Sequence, residues 1–264
     1  LKSQIRNPQF FGEILLATKA IKLQNKTSAF YLSGASFISL QSANFMFLIF
    51  DTETTGLPRN YNAPISDTDN WPRMVQLAWQ LHTVVGELVE AKDYIVFPDG
   101  FDIPYNAAKI HGITTERAQK EGVPLAQVLA EFNIALQKAK YSVGHNVGFD
   151  MNILGCEFYR ANLQTNLQSK IVLDTCTEQT ATLCKLPGGR GGKFKLPTLA
   201  ELYTLVFNEN FSEAHNAAFD VEATTRAFLE LLRLGHFTEN DLQAAPEVLQ
   251  KFRNANPESF KLIG

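Results

Sequence analysis

The sequence predicts an α/β fold in which a mixed β-sheet is flanked by α-helices. Three observations lead to this prediction. Residues 47–50 form a continuous apolar run, as expected for a strand that is buried on both faces. Two later strand-like segments are joined by a link so short that they must pair antiparallel. The second half of the chain alternates strands with helices, a pattern typical of parallel crossovers.

Three strands are predicted in the first half of the sheet. They cover residues 47–50, 74–83 and 88–97. Only residues 84–87 connect the second strand to the third, so these two are expected to form a hairpin. The polar stretch 58–73 separates the first two strands and is interpreted as a loop near the first acidic motif.

The second half is predicted from helical periodicity and from its helix ends. Apolar residues recur at helical spacing within 124–140, where a proline suits the first turn. The remaining predicted elements are a strand at 141–144, a helix at 149–160, a strand at 171–174 and a helix at 218–234 that Gly235 ends.

The two ends of the chain are interpreted separately from residues 46–235. Residues 1–45 show no clear periodicity and are treated as an N-terminal extension of unknown role, and 236–264 as a C-terminal helical tail. No charged residue occurs within 27–50, which raises the question of a membrane span. Its many serine and amide side chains make it too polar for that role, so we expect no membrane partner.

Composition limits the partners and the compartment. The formal net charge is -3, so any contact with nucleic acid must come from a local basic patch. The three cysteines, Cys156, Cys176 and Cys184, are neither a disulfide framework nor a zinc set. A reducing cytoplasm suits them.

The first acidic motif lies at the end of the first strand. Asp51 and Glu53 are two residues apart, so the period of a strand puts both carboxylates on one face. Two anions this close repel each other, and a hard divalent cation such as Mg²⁺ or Mn²⁺ would join them. A solvated acidic pair at a strand end explains the motif equally well.

Two further motifs share the pattern His-Asn-x-x-Phe-Asp. In the first, His145 and Asn146 follow a strand, and Asp150 falls in the first turn of a helix, where charge at the helix N-terminus is the simpler explanation. In the second, His215 precedes the last long helix and Asp220 lies within its first turns. A histidine with a pKa near 6.5 suits a general base, although capping is again the simpler alternative.

Taken in this order, the motifs resemble those of the DEDDh family of 3′–5′ exonucleases, which includes a proofreading subunit of bacterial DNA polymerase III. The match runs from about Phe47 to Leu234. A tyrosine branch of the superfamily has Tyr four residues before the last Asp; here that position is Asn216, so the histidine branch is the better match. The resemblance implies a ribonuclease-H-like mixed sheet and a metal-dependent exonuclease.

The resemblance also implies residue roles. Asp51, Glu53, Asp150 and Asp220 would bind two divalent metal ions, Mg²⁺ or Mn²⁺, and His215 would take a proton from the attacking water. The substrate would be contacted by Thr54, Leu57, His111, His145 and Asn146. Asp174, at a strand end, is expected to be structural.

The expected substrate is a single-stranded or 3′-ended nucleic acid, with DNA favoured, and a separate polymerase is a candidate partner. Trimming of RNA 3′ ends or degradation of short oligonucleotides is the alternative, because the motifs do not identify the sugar. A non-catalytic nucleic-acid-binding module is less favoured, since none of the acids is missing.

One glycine-rich loop is a candidate contact to the phosphate backbone. Lys185, Arg190, Lys193 and Lys195 put four cations in eleven residues. A solvated connector explains the same composition.

Overall fold

The computed structural model describes residues 46–209 and 216–260. In this part of the chain one five-stranded sheet has the order β3-β2-β1-β4-β5. The strands are β1 (Phe47–Thr54), β2 (Met74–His82), β3 (Leu88–Ile95), β4 (Tyr141–Gly144) and β5 (Ile171–Asp174). β1 and β3 pair antiparallel with β2, whereas β4 pairs parallel with β1 and β5. The predicted mixed sheet is confirmed.

Helices connect and cover the strands. In chain order they are α1 (Tyr105–His111), α2 (Thr115–Glu121), α3 (Leu125–Lys138), α4 (Gly148–Arg160), α5 (Glu178–Cys184), α6 (Leu199–Phe207), α7 (Ala217–Arg233), α8 (Glu239–Leu242) and α9 (Pro246–Ala255). The long predicted helices correspond to α3, α4 and α7. No prediction was made for α1, α2 and α5, which have seven residues each and are too short to show a clear period.

The alternation of side chains along β1 creates two cores, one on each face of the sheet. Phe47 and Ile49 point to the face covered by α6 and α7, where the ring of Phe47 lies 5.0 Å from that of Phe228. Leu48 and Phe50 point to the face covered by α3 and α4. Because period two continues past these residues, Asp51 and Glu53 face α7, while Thr52 faces α4.

The polar stretch 58–73 is held against α4 by a buried ion cluster. Glu157 is fully buried, and its Oε1 accepts from Arg73, from Arg160 and from the backbone N–H of Met74. Arg160 also donates to three backbone carbonyls of the stretch, those of residues 68, 71 and 72. The backbone carbonyl of Arg73 in turn accepts from the backbone N–H of Thr55. The stretch is therefore fixed directly beside the end of β1.

Residues near the C-terminus pack into the core that contains α7. Leu242, Leu249 and Phe252 are buried there. The hydroxyl of Tyr141 on β4 donates to the carbonyl of Leu242 at 2.9 Å. The predicted extension 1–45 lies outside the described residues. Among the helices of the described ranges, none is both long and apolar enough to cross a membrane.

Candidate active site

β1 supplies the first two carboxylates. The strand runs from Phe47 to Thr54, and Asp51 pairs with Ala78 and Glu53 with Gln76 of β2, so both acids lie at the end of the strand as the sequence predicts. The register shifts between Glu53 and Thr54, so regular pairing ends where the acidic motif ends. Asp51 and Glu53 are both partly buried and share the face toward α7.

The first turn of α7 brings the third carboxylate to the same face. Asn216 caps this helix, with its side chain accepting from the backbone N–H of Ala218 at 3.0 Å. Asp220 follows one turn later. Asp51, Glu53 and Asp220 each offer an oxygen, and these oxygens lie within 4.8 Å of one another. A strand and a helix distant in sequence thus form one acidic cluster.

Asp150 approaches β1 from the opposite face of the sheet. It lies in α4 and is only 4% exposed. Its Oδ1 accepts from the hydroxyl of Thr52 at 2.6 Å and from the backbone N–H of Thr52 at 3.0 Å. The structure therefore places Asp150 next to the cluster, held by the residue between Asp51 and Glu53, and not among the three mutually close oxygens.

Burial and repulsion raise the pKa values of these acids. For Asp51 the pKa is raised well above its ordinary value, first by desolvation and then by the charges of Asp150, Asp220 and Glu53. Desolvation, Asp220 and Asp150 raise the pKa of Glu53 to about 8. Desolvation raises the pKa of Asp150 to about 7, against the two hydrogen bonds from Thr52, which lower it. The charges that raise the pKa values of Asp51 and Glu53 are thus those of neighbouring carboxylates.

This donor set fits a divalent cation. Carboxylate oxygens are the ligands that Mg²⁺ and Mn²⁺ prefer. Close, partly buried carboxylates without a compensating positive charge are unfavourable unless a cation joins them or they take up protons. The acidic cluster is therefore a candidate centre for divalent metal.

Asp174 orders the loop that leads to Asp150. Its Oδ1, at the end of β5, accepts from the backbone N–H groups of Asn146 and Cys176, both at 2.8 Å. Asn146 has a φ of 62°, a left-handed conformation that asparagine adopts more readily than most residues. Asp174 has the structural position that the sequence predicted. Asn146, a predicted substrate contact, has an exposed side chain beside this loop.

The imidazole of His145 contacts other groups of the protein through both ring nitrogens. Its Nδ1 lies 2.9 Å from the hydroxyl of Thr175, and its Nε2 lies 3.0 Å from the carbonyl of Pro197. Burial lowers the pKa of the imidazole, against the opposing effect of that carbonyl. Both ring nitrogens therefore have protein partners, which position the segment before α6, and the contact of His145 with substrate stays a prediction.

Three other predicted substrate contacts line one cavity. Thr54, Leu57 and His111 surround a space of about 490 Å³ between the end of β1 and α1, and Glu53 opens into it. Leu57 is 74% exposed at its rim. His111 is buried; its Nδ1 accepts from the backbone N–H of Ile113, and burial lowers the pKa of its imidazole, against the opposing effect of the backbone of Thr54. The cavity therefore joins these three residues to the acidic cluster.

The four cations of the glycine-rich loop are not equivalent. Lys193 pairs with Glu178, and Lys195 donates to both carboxylate oxygens of Glu201. Within the described ranges, Lys185 and Arg190 make no ion pair. Local carboxylates thus compensate two of the four charges, a feature that the sequence pattern did not reveal.

The predicted general base, His215, lies outside the described residues, directly before the Asn216 cap. One candidate residue was missed by the sequence analysis, namely Thr52, which holds Asp150. Its position between two acids on a strand was the available signal, because alternation turns it toward the other layer.

A mixed sheet with an acidic cluster at the end of its central strand agrees with the nuclease predicted from the motifs. A family model described as Exonuclease, RNase_T, matches residues 48–228, and the chain belongs to that family. The resemblance inferred from the motifs is confirmed.

Two curated relatives come from larger bacterial proteins. The DNA polymerase III PolC-type protein of Streptococcus thermophilus is 30% identical over 189 residues, which cover 71% of this chain but 11% of that protein. The 3′-5′ exonuclease DinG of Bacillus subtilis is 29% identical over 70% of this chain and 17% of its own length. The chain therefore spans only a small part of either relative.

Solved structures support the fold. Escherichia coli exonuclease I, crystallised with a dA16 oligonucleotide, aligns with a TM-score of 0.55 at 21% identity and covers 78% of this chain and 42% of that one. At this identity the likeness shows the shared fold alone.

Proposed function

We propose that this chain is a metal-dependent 3′–5′ exonuclease that releases nucleoside 5′-monophosphates from the 3′ end of DNA. The observation that carries the proposal is the convergence of Asp51, Glu53 and Asp220 beside a cavity of nucleotide size. Membership of the exonuclease family supports hydrolysis of phosphodiester bonds. The relative named a 3′-5′ exonuclease supports the polarity.

The acidic residues would hold the metal. Asp51, Glu53 and Asp220 are the proposed ligands, with Asp150 completing the set from the other face of the sheet. Two divalent ions, Mg²⁺ or Mn²⁺, would supply positive charge to the scissile phosphate and to the departing 3′ oxygen.

The proton transfer and the attack on phosphorus would be carried out by a side chain of this protein and a water molecule. His215 is the proposed general base and takes a proton from the attacking water. The water oxygen forms a bond to phosphorus as the bond to the 3′ oxygen breaks. The terminal nucleotide leaves with a 5′-phosphate, the 3′ oxygen of the shortened strand takes up a proton from solvent to become a hydroxyl, and His215 returns its proton to solvent. The cavity lined by Thr54, Leu57 and His111 would hold that terminal nucleotide.

We propose single-stranded DNA as the substrate and a polymerase as a partner. Exonuclease I with a bound oligonucleotide supports the first proposal, and the PolC-type relative supports the second. The three cysteines are unpaired thiols, which agrees with a cytoplasmic location.

Matched DNA and RNA strands with labelled 5′ ends test the substrate and the polarity. Purified protein in Mg²⁺ or Mn²⁺ is expected to produce a ladder that shortens from the 3′ end, faster on DNA, and to stop on addition of chelator. Full activity in chelator, or internal cuts alone, would contradict an exonuclease of this kind. Faster loss of the RNA strand would favour RNA trimming.

Two substitutions separate the proposed roles. Asp51→Ala is expected to remove both Mn²⁺ binding and turnover, because it deletes a ligand. His215→Ala is expected to lower kcat by about 10²- to 10⁴-fold while Mn²⁺ still binds. Calorimetric titration of both variants with Mn²⁺ measures the difference. Equal loss of metal affinity would contradict the assignment of His215 as the base.

A further inference from the structure

The cavity beside the acidic cluster has two different walls. One is the end of β1 and the residues that follow it, 52–57; the other is formed mainly by Pro104 and residues of α1. Side chains of Leu57, Ile110 and Phe149 give it a largely apolar lining. Apolar and aromatic surfaces bind the faces of any nucleic-acid base, and a few polar groups then fix its orientation.

Most polar groups of the lining already have protein partners. The hydroxyl of Thr52 donates to Asp150, that of Thr54 donates to the carbonyl of Gly56, and that of Thr55 accepts from the backbone N–H of Arg73. Asn106 differs from these threonines. In the described part of the chain its side-chain amide makes no hydrogen bond, and it is exposed to solvent in the cavity.

The position of Asn106 points to the base end of a bound nucleotide. His111, the last residue of α1, lines the cavity together with Thr54 at the end of β1. Asn106 lies five residues earlier, about 7.5 Å along the helix axis. Consider a nucleotide whose phosphate lies at the acidic cluster, beside Glu53. Its sugar would then lie next to His111, and its base would lie next to Asn106.

We propose that the side-chain amide of Asn106 hydrogen-bonds to the edge of the 3′-terminal base. The proposal rests on the proposed function of the site and names a residue that sets its preference among terminal bases. When a base fills the cavity, the amide loses the water that hydrates it, and it must find a partner or remain unsatisfied at a cost. An amide carries both donors and an acceptor, so it can pair with any base but with unequal geometry.

Substrates that differ only in the last residue test this inference. The series is a single strand ending in dA, dC, dG or dT, and the same strand ending in an abasic residue. Asn106→Ala is expected to lower kcat/KM about two- to tenfold on the four natural ends, which is the size of one net hydrogen bond. It is expected to leave the abasic end unchanged and to reduce the differences among the four bases.

Tyr105→Ala provides the matched control. Tyr105 occupies the same turn of α1, is 79% exposed and does not line the cavity. A loosened helix would affect both variants, whereas loss of the base contact would affect Asn106→Ala alone. Equal losses on abasic and natural ends, no loss on any natural end, or the same base-dependent loss in Tyr105→Ala would each overturn the inference.

Binding without turnover separates this inference from the proposed function. The dissociation constants of the same strands are measured in Ca²⁺. Two- to tenfold weaker binding by Asn106→Ala on natural ends alone, in a protein that hydrolyses none of them, would retain the base contact and reject the exonuclease. Hydrolysis from the 3′ end with no base-dependent effect of Asn106→Ala would retain the exonuclease and reject the base contact.

Discussion

Replacing Thr52 by Val isolates the contact that holds Asp150. Valine keeps the shape of threonine but removes the hydroxyl that donates to Asp150 at 2.6 Å, while the backbone bond at 3.0 Å remains. A hydrogen bond to a charged group contributes about 1.5–3 kcal/mol. Loss of such a partner behind a metal ligand typically costs about 10- to 100-fold in metal affinity or activity. We expect Thr52→Val to lose Mn²⁺ affinity and kcat within that range and to remain folded.

Calorimetric titration with Mn²⁺ and single-turnover hydrolysis of a 5′-labelled strand measure this effect. Thr225→Val is the matched control, because the hydroxyl of Thr225 is buried in α7 and has no hydrogen-bond partner among residues 46–209 and 216–260. It should bind metal and cut as the unaltered protein does. Unaltered metal affinity in Thr52→Val, or equal losses in both variants, would refute the reasoning.

Four further predictions concern stability and binding. Thr225→Val should raise the free energy of unfolding by about 1 kcal/mol in urea titration, because burial of its unpaired hydroxyl is unfavourable; a decrease would reveal a partner. Glu157→Ala should lower the free energy of unfolding by about 3–5 kcal/mol, since two arginines lose their buried partner; a change below about 1 kcal/mol would contradict that role. A chain that begins at Met46 should melt and cut as the full chain does, whereas a large drop in Tm would show that the extension stabilises the domain. Replacing Lys185 and Arg190 by Ala should reduce the slope of log K against log salt by about 0.7 for each lost phosphate contact, and an unaltered slope would favour a connector loop.

The strands were largely predictable because burial on both faces leaves a clear apolar signal. Residues 47–50 carry that signal, and the short link 84–87 fixed the hairpin. The apolar run marks only the first half of β1, and backbone pairing with β2 keeps Asp51 and Glu53 extended beyond it. Short helices such as α1 depend on tertiary packing more than on local periodicity, so no local pattern predicts them.

The acidic residues of the site could be predicted from the sequence, but the hydrogen bonds between them and other residues could not. Spacing indicated that Asp51 and Glu53 share a face, and the resemblance added Asp220 and Asp150. The bond between Thr52 and Asp150 joins residues 98 apart in the chain, and local patterns carry no information about such a contact. The same limit applies to His145, whose two partners come from segments that only folding brings together.

The acids reach β1 from opposite sides of the sheet, Asp220 through α7 and Asp150 through α4. The acidic site is therefore complete only when both helical layers have packed on the sheet. A chain that has lost the packing of either helical layer retains β1 but lacks one of the acids. A chain still being synthesised has Asp51 and Glu53 long before Asp220 is added. Partly folded copies therefore lack part of the acidic site, so the proposed hydrolysis would require both layers to have closed on the sheet.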